Sequence, residues 1–353
     1  TGEFIEAERQ AREAVDRASV ASQDELVFRG RFIIARALEG QGSIDDAVLE
    51  LEPLVRSRQG GVLRIKAAIA LCRCYRESGD YSQAIEVGER VLAQLHSSPL
   101  DACDESVQMA VTLAAAYYTR GDTGQAVRIC RKAIAKAEGI ASPTARAAAY
   151  WNASVFESER GSVSNAVAMA ERALALMAEG QDSRNLARLR TQVGIMQLEL
   201  DPPDVAAAHE QLDRAAEELP WSSASPIDIA SNDLARARAF MLEGDLDRAE
   251  EICRQTFDVA NSDSPDTAAH ARAVLGQIQV ARGDVEAAKV TYRQAVYFLT
   301  SAGGDQDVAQ LWFDLASLLE DVGDLDAARE AYRSAAASAG LRSRSKARVS
   351  VSQ

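Results

Sequence analysis

The side chains able to do chemistry are few in this sequence, and their spacing argues against a reaction centre. The three histidines, His96, His209 and His270, stand far apart. None belongs to a His-Glu-x-x-His run, which would place two zinc ligands on one helix face. The five cysteines form an odd set without metal spacing, and Cys72 with Cys74 makes only a Cys-x-Cys. Cys72, Cys130 and Cys253 fall at apolar positions of helical patterns, where a reduced thiol serves as a small core residue. A reducing compartment follows, most simply the cytoplasm. There is no Gly-x-Ser-x-Gly and no phosphate loop, and the Gly-Gly pairs at 60–61 and 303–304 read as linkers. Carboxylates and arginines alternate three or four apart, as in Glu6 with Arg9 and Glu330 with Arg333, the pattern of solvated helix faces. No catalytic residue, cofactor or metal is expected.

The bulk properties narrow the partners. The formal net charge is −14, with a pI near 4.9, which disfavours nucleic acid or anionic membrane as a direct ligand. No apolar run reaches the ~18 residues needed to span a bilayer. Thr1-Gly2-Glu3-Phe4 does not open a signal peptide. Abundant Arg, Ala, Asp and Val hint at a high-GC bacterial source.

The elements that must position any site are helices. Trp312, Leu315, Ala316 and Leu319 recur at helical spacing; Gly323-Asp324 breaks the pattern; Ala328, Tyr332 and Ala335 resume it. Small residues at the crossing points let two helices approach closely, while bulky ones fill the flanking grooves. The unit repeats along the chain. Its anchors, Ala7, Ala47, Ala84, Ala126, Ala166, Ala208, Ala249, Ala288 and Ala328, are 37 to 42 residues apart. Ser98-Pro99, Ser142-Pro143, Ser225-Pro226 and Ser264-Pro265 read as helix starts. Pro53 should end or kink its helix. One copy is degenerate, with Asp201-Pro202-Pro203-Asp204 as a lengthened turn before Ala208. With no strand alternation, the expectation is an all-α chain of about seventeen helices. The array covers residues 1–340, and residues 341–353 form a basic, flexible tail. Residues 2 to 18 read as a second helix lacking its first, which suggests that the natural protein continues upstream.

The order Trp…Leu-Ala…Leu…Gly-Asp…Ala…Tyr…Ala resembles the tetratricopeptide repeat (TPR) over residues 2 to 340. The resemblance implies a right-handed α-solenoid of about eight and a half helix pairs, with the first helix of each pair lining a concave groove. Mapped onto this chain, the groove-facing positions include Arg29, Arg36, Lys66, Arg73 and Arg76, a cationic wall suited to a carboxylate. The same residues could instead be balanced by Glu39 and Glu77. They also include Tyr118, Trp151, Arg188 and Arg238. Asn152 stands where peptide-binding members of the family use an Asn amide against the ligand backbone, although it could equally bond within its own stack. Trp312 occupies the large core position, and Trp221 is expected to anchor a loop.

Long arrays of this period look like the C-terminal sensor region of actinobacterial helix-turn-helix transcriptional regulators. The resemblance rests on Gln310-Leu311-Trp312-Phe313 and the run from Ala331 to Arg342. It implies a peptide or small signal in the groove, with DNA bound only through a domain outside these residues. The alternative is an interaction adaptor without a switch. Self-association as a homodimer is compatible with either.

Overall fold

The computed structural model describes residues 2–57, 59–140, 142–178, 183–222, 224–260, 264–300 and 306–341. The tail expected at 341–353 lies outside them apart from Leu341. Seventeen α-helices and no strand occur among the described residues. Contacts divide the chain into two compact units, 1–181 and 182–353. The first holds α1 (Gly2–Val20), α2 (Asp24–Gly40), α3 (Ile44–Arg56), α4 (Gly61–Glu77), α5 (Tyr81–Leu95), α6 (Asp104–Thr119), α7 (Thr123–Ile140), α8 (Pro143–Glu159) and α9 (Val163–Met177). The second holds α10 (Ser183–Leu198), α11 (Val205–Glu218), α12 (Pro226–Glu243), α13 (Leu246–Ala260), α14 (Pro265–Ala281), α15 (Val285–Leu299), α16 (Gln306–Asp321) and α17 (Leu325–Ser338). Each unit is an α-solenoid of helix pairs, and first helices of successive pairs also touch.

The pairs form for local reasons. At the end of α4, Gly79 takes φ +79°, which costs glycine little, and the Asp80 N–H reaches back to the Tyr75 carbonyl at 2.8 Å. Asp80 then caps α5 by accepting from the Gln83 N–H. The degenerate copy lacks the glycine. Its turn runs from Glu199 to Asp204, and Asp204 caps α11 through the Ala207 N–H. The anchors Ala47, Ala84, Ala126, Ala166, Ala208, Ala249, Ala288 and Ala328 are buried, whereas Ala7 on α1 is half-buried. Gly194 and Gly276 let α10 and α14 sit directly on Leu212 and Tyr292.

Two of the Ser-Pro starts act as expected. Ser142 caps α8 through the Ala145 N–H, and Ser225 forms a reciprocal capping box with Asp228. The other two also stand just before a helix with Pro at its first position, but cap it differently. Ser98 opens a 3-10 turn, Pro99–Ala102, ahead of α6. Ser264 turns its hydroxyl to the Asp266 and Thr267 side chains rather than to a backbone donor. Helix α3 continues one turn past Pro53 and stops at Arg56, where Ser57 turns extended. Trp312 is buried among Tyr292, Leu299 and Ala316. Trp221 is 89% exposed and anchors nothing; Leu219, two residues earlier, is the buried residue of that turn.

Successive pairs of the first unit are also tied by tyrosine. Tyr75 donates to Glu52 at 2.6 Å, and Tyr117 donates to Glu89. Each bond joins a first helix to the second helix of the preceding pair.

Candidate functional site

In the first unit the expected cations gather into two groups. Arg36 on α2 and Arg73 on α4 converge on Glu39, at 2.6 and 2.9 Å. One carboxylate thus serves two guanidinium groups. Burial raises the Glu39 pKa, against the lowering effect of Arg36 and with a further push from Glu77. Arg76 is half-buried on the same helix, and its charge acts on the Cys72 thiol.

Arg29 and Lys66 form the other group. Both line a cavity of about 780 Å³ between the N-terminal halves of α2 and α4, with Phe28, Phe32 and Leu63 in its wall. Arg29 pairs with Glu25 at 2.7 Å and Lys66 with Glu105 at 3.4 Å. The Arg29–Glu25 pair is well exposed on both sides. Exposed pairs of this kind contribute little to stability and exchange readily.

Farther along the unit, Tyr118 is buried against Phe156, ring centroids 5.0 Å apart. Trp151 and Asn152 are half-buried on α8. The Asn152 amide N–H donates to the Ala148 carbonyl of its own helix at 2.9 Å. The aromatic and amide residues therefore share a region, but Tyr118 and one amide hydrogen already have protein partners.

In the second unit, Arg188 reaches Asp228 at 2.9 Å. Arg238 on α12 is half-buried and acts on His270 of α14. His270 is exposed, although protein crowds it so that desolvation, and then the Arg238 charge, act to lower its pKa; Asp314 and Asp266 act in the opposite direction. His209 contacts Glu243 and lies tilted against the Phe240 ring, centroids 4.7 Å apart.

Sequence reasoning missed Phe28 and Phe156. Phe28 looks like any core residue in a helical pattern, and only the divergence of α2 from α4 exposes its neighbourhood. The Arg29–Glu25 pair carried a signal, its spacing of four. The pairing of Arg36 and Arg73 with Glu39 is the alternative that the sequence offered, whereas the partnership of Lys66 with Glu105 joins different repeats and carried no signal.

The chemistry of these faces is that of binding. Burial pushes the thiols of Cys72, Cys74, Cys130 and Cys253 up to about 12, so they are not nucleophiles at neutral pH. Among the described residues no group of three His, Cys, Asp or Glu side chains could hold a metal. No helix among them is long and apolar enough to cross a membrane.

Two stretches match models of the tetratricopeptide repeat, residues 67–102 and 309–339. The chain carries TPR repeats. The first match begins on α4 and the second spans α16 and α17, and neither model describes a catalytic family. Against curated protein sequences the chain has no significant match. Among solved structures it is similar to a Rap protein complexed with Competence and Sporulation Factor. There the TM-score is 0.65 at 14% identity, over 96% of this chain and 95% of that one. It is also similar to a STAND-class signal transduction ATPase with a TPR sensor from Pyrococcus horikoshii, with TM-score 0.57 at 14% identity. That match covers 93% of this chain but 52% of the other. A TPR protein from Parabacteroides merdae matches with TM-score 0.50 at 14% identity, over 77% and 92% of the two chains. At such identities the likeness is one of fold.

Proposed function

We propose that this TPR chain is the sensing region of a bacterial transcriptional regulator, taking a peptide or small signal on the first-helix face of its first unit. The observation that carries this reading is the composition of that face. Arg36 and Arg73 share a single carboxylate, and a half-exposed tryptophan and amide stand on the same succession of first helices. Such a face recognises a carboxylate and an apolar group together. The similar Rap structure contains a bound factor, and the similar STAND structure has its repeats described as a sensor; both support the choice of a sensor. A ligand that prefers one arrangement of the repeats shifts the population toward it. A DNA-binding domain outside these residues would read that shift, in the cytoplasm. DNA is not a partner of the repeats themselves.

The shared Glu39 also favours a second reading, a fixed docking face on an adaptor, because it holds both arginines in place without a ligand. Native mass spectrometry of the purified chain tests for binding, with a co-purifying species of defined mass expected and lost in Trp151→Ala. Small-angle scattering with and without that species separates the readings. A sensor changes its scattering profile on binding and an adaptor does not. Retention of the species by Trp151→Ala would remove the site.

A further inference from the structure

We propose a separate anion subsite where the C-terminal ends of α3 and α5 meet the first turn of α4. Arg56, Arg64 and Arg90 take one phosphate monoester there, carried by a small polar molecule or by a modified side chain. The site stands apart from the groove-facing residues and does not depend on the reading of the first unit as a sensor.

The cavity at this junction measures about 480 Å³ and is lined by Val55, Arg56, Ser57, Arg64, Arg90 and Gln94. Half of the lining is arginine and none of it is acidic, in a chain whose net charge is −14. The three arginines come from three helices, α3, α4 and α5. Arg64 is half-buried and held by neutral acceptors. Its Nε–H donates to the Val55 carbonyl at 3.1 Å, and an Nη2–H donates to the Gln94 amide oxygen. The first bond caps the last turn of α3. A guanidinium has five N–H donors, so these two bonds leave it with donors to spare. Among the described residues no carboxylate forms an ion pair with Arg64. Its charge is thus fixed in place before any ligand arrives, which lowers the ordering cost of binding.

The other two arginines have carboxylate partners, but weak ones. Arg56 pairs with Glu52 at 2.6 Å and Arg90 with Glu86 at 3.4 Å, each within its own helix, with the arginines 70% and 45% exposed. Such pairs exchange readily. The second oxygen of Glu52 accepts from Tyr75, so Glu52 keeps a partner when Arg56 turns to a ligand. Three arginines therefore meet two carboxylates, and the charge of Arg64 is left over. A carboxylate ligand has two oxygens in one plane, enough for two guanidinium groups. A phosphate monoester brings three acceptor oxygens and about two negative charges, which suits three groups arriving from different helices. A polyanion fits poorly, because the acidic chain repels an extended negative surface. Val55 is the one apolar residue of the lining, so no aromatic face is offered to a nucleobase. Ser57 and Gln94 instead present polar atoms to hydroxyl or amide groups beside the phosphate.

The test is a phosphorus NMR titration of the full chain, in phosphate-free buffer at fixed ionic strength. The probes are inorganic phosphate, glucose 6-phosphate and a blocked phosphoserine tripeptide, with acetate as competitor. Arg56→Ala/Arg90→Ala and Arg64→Gln should each weaken binding of the monoesters about tenfold. Arg329→Ala/Arg333→Ala removes the same charge as the first of these from exposed positions of the second unit and should leave binding unchanged. Circular dichroism checks each variant. Arg64→Gln disturbs the cap of α3, so the exposed double variant decides the matter if that chain loses helicity. Tighter binding of glucose 6-phosphate than of the tripeptide supports the subsite and assigns it to a free metabolite, and the reverse order supports it and assigns a modified side chain. Tightest binding of inorganic phosphate overturns the monoester. No binding of any probe overturns the subsite. So does displacement by an equal concentration of acetate, or equal weakening by the second-unit variant, which would reduce the effect to bulk charge.

Discussion

Gly276→Ala should destabilise the second unit even though alanine is the better helix former. A Cβ at Gly276 would stand 2.2 Å from Tyr292 Cε1 and 2.6 Å from Cδ1, well inside any real carbon contact. The ring cannot swing away. Tyr292 is 1% exposed and packs in one cluster with Trp312, Leu299 and Ala316. Alanine in place of glycine gains about 1 kcal/mol within a helix. Overpacking of a closed core costs about 1–3 kcal/mol, so the net loss should lie between about 0 and 2 kcal/mol, toward the upper end because the ring is enclosed. Urea-dependent hydrogen exchange is the suitable assay because it reads α14–α17 separately from the first unit, and a chain of two units need not unfold in one step. Protection should fall across α14–α17 and stay unchanged in α2–α8. Tyr292→Leu should cost less in the Gly276→Ala background than alone, which measures the coupling directly. Equal or greater protection in Gly276→Ala would refute the claim that this close approach limits the packing.

Other outcomes follow from the sites. Asn152→Ala should weaken ligand binding by about 1–3 kcal/mol in calorimetry, with little change in melting temperature; an equal loss of stability would mean that its bond to Ala148 is its whole role. Arg73→Ala with Arg76→Ala should reduce affinity for a carboxylate ligand, read by titration in low and high salt, while unchanged affinity would remove the cationic wall from the site. Because burial raises the Glu39 pKa, the folded state favours its protonated form. That contribution is complete below the unfolded-state value and is lost as pH rises through the folded-state value. Glu39→Gln should therefore melt higher than the unaltered protein near neutral pH and match it in acid, and the opposite order would contradict the assignment. Ellman's reagent at neutral pH should leave Cys72, Cys74, Cys130 and Cys253 unmodified until denaturant is added.

The periodicity made the helices legible. A small residue five positions after a turn glycine specifies both the crossing point and the start of the second helix, and Ala84, Ala126 and Ala288 are completely buried as that logic demands. Trp312 was legible for the same reason. The links were less so, because Ser-Pro is compatible with more than one start: Ser142 caps an α-helix, Ser98 a 3-10 turn, and Ser264 bonds neighbouring side chains. Trp221 read as an anchor because a large aromatic residue beside Pro220 normally packs, but Leu219 already fills the space beneath the turn. For the candidate site, the sequence identified which residues lie on first helices. It offered Glu39 as a partner for these arginines, but could not reveal that Lys66 would meet Glu105, nor that α2 and α4 would part over Phe28. Both depend on the distance between pairs, which is set by links rather than by the repeat itself.

The tyrosine ties of the first unit bear on how such a chain diverges. Tyr75 reaches Glu52 and Tyr117 reaches Glu89, so each tie spans one junction between neighbouring pairs. Stacks of this kind rely on nearest-neighbour contacts, and a substitution on one first helix is felt mainly by the pairs beside it. Descendants can therefore rewrite the ligand-facing residues of α2 while those of α8 remain fixed, provided the tyrosine ties survive. Specificity can then drift one pair at a time, under selection that acts separately on the groove and on the seams that hold it together.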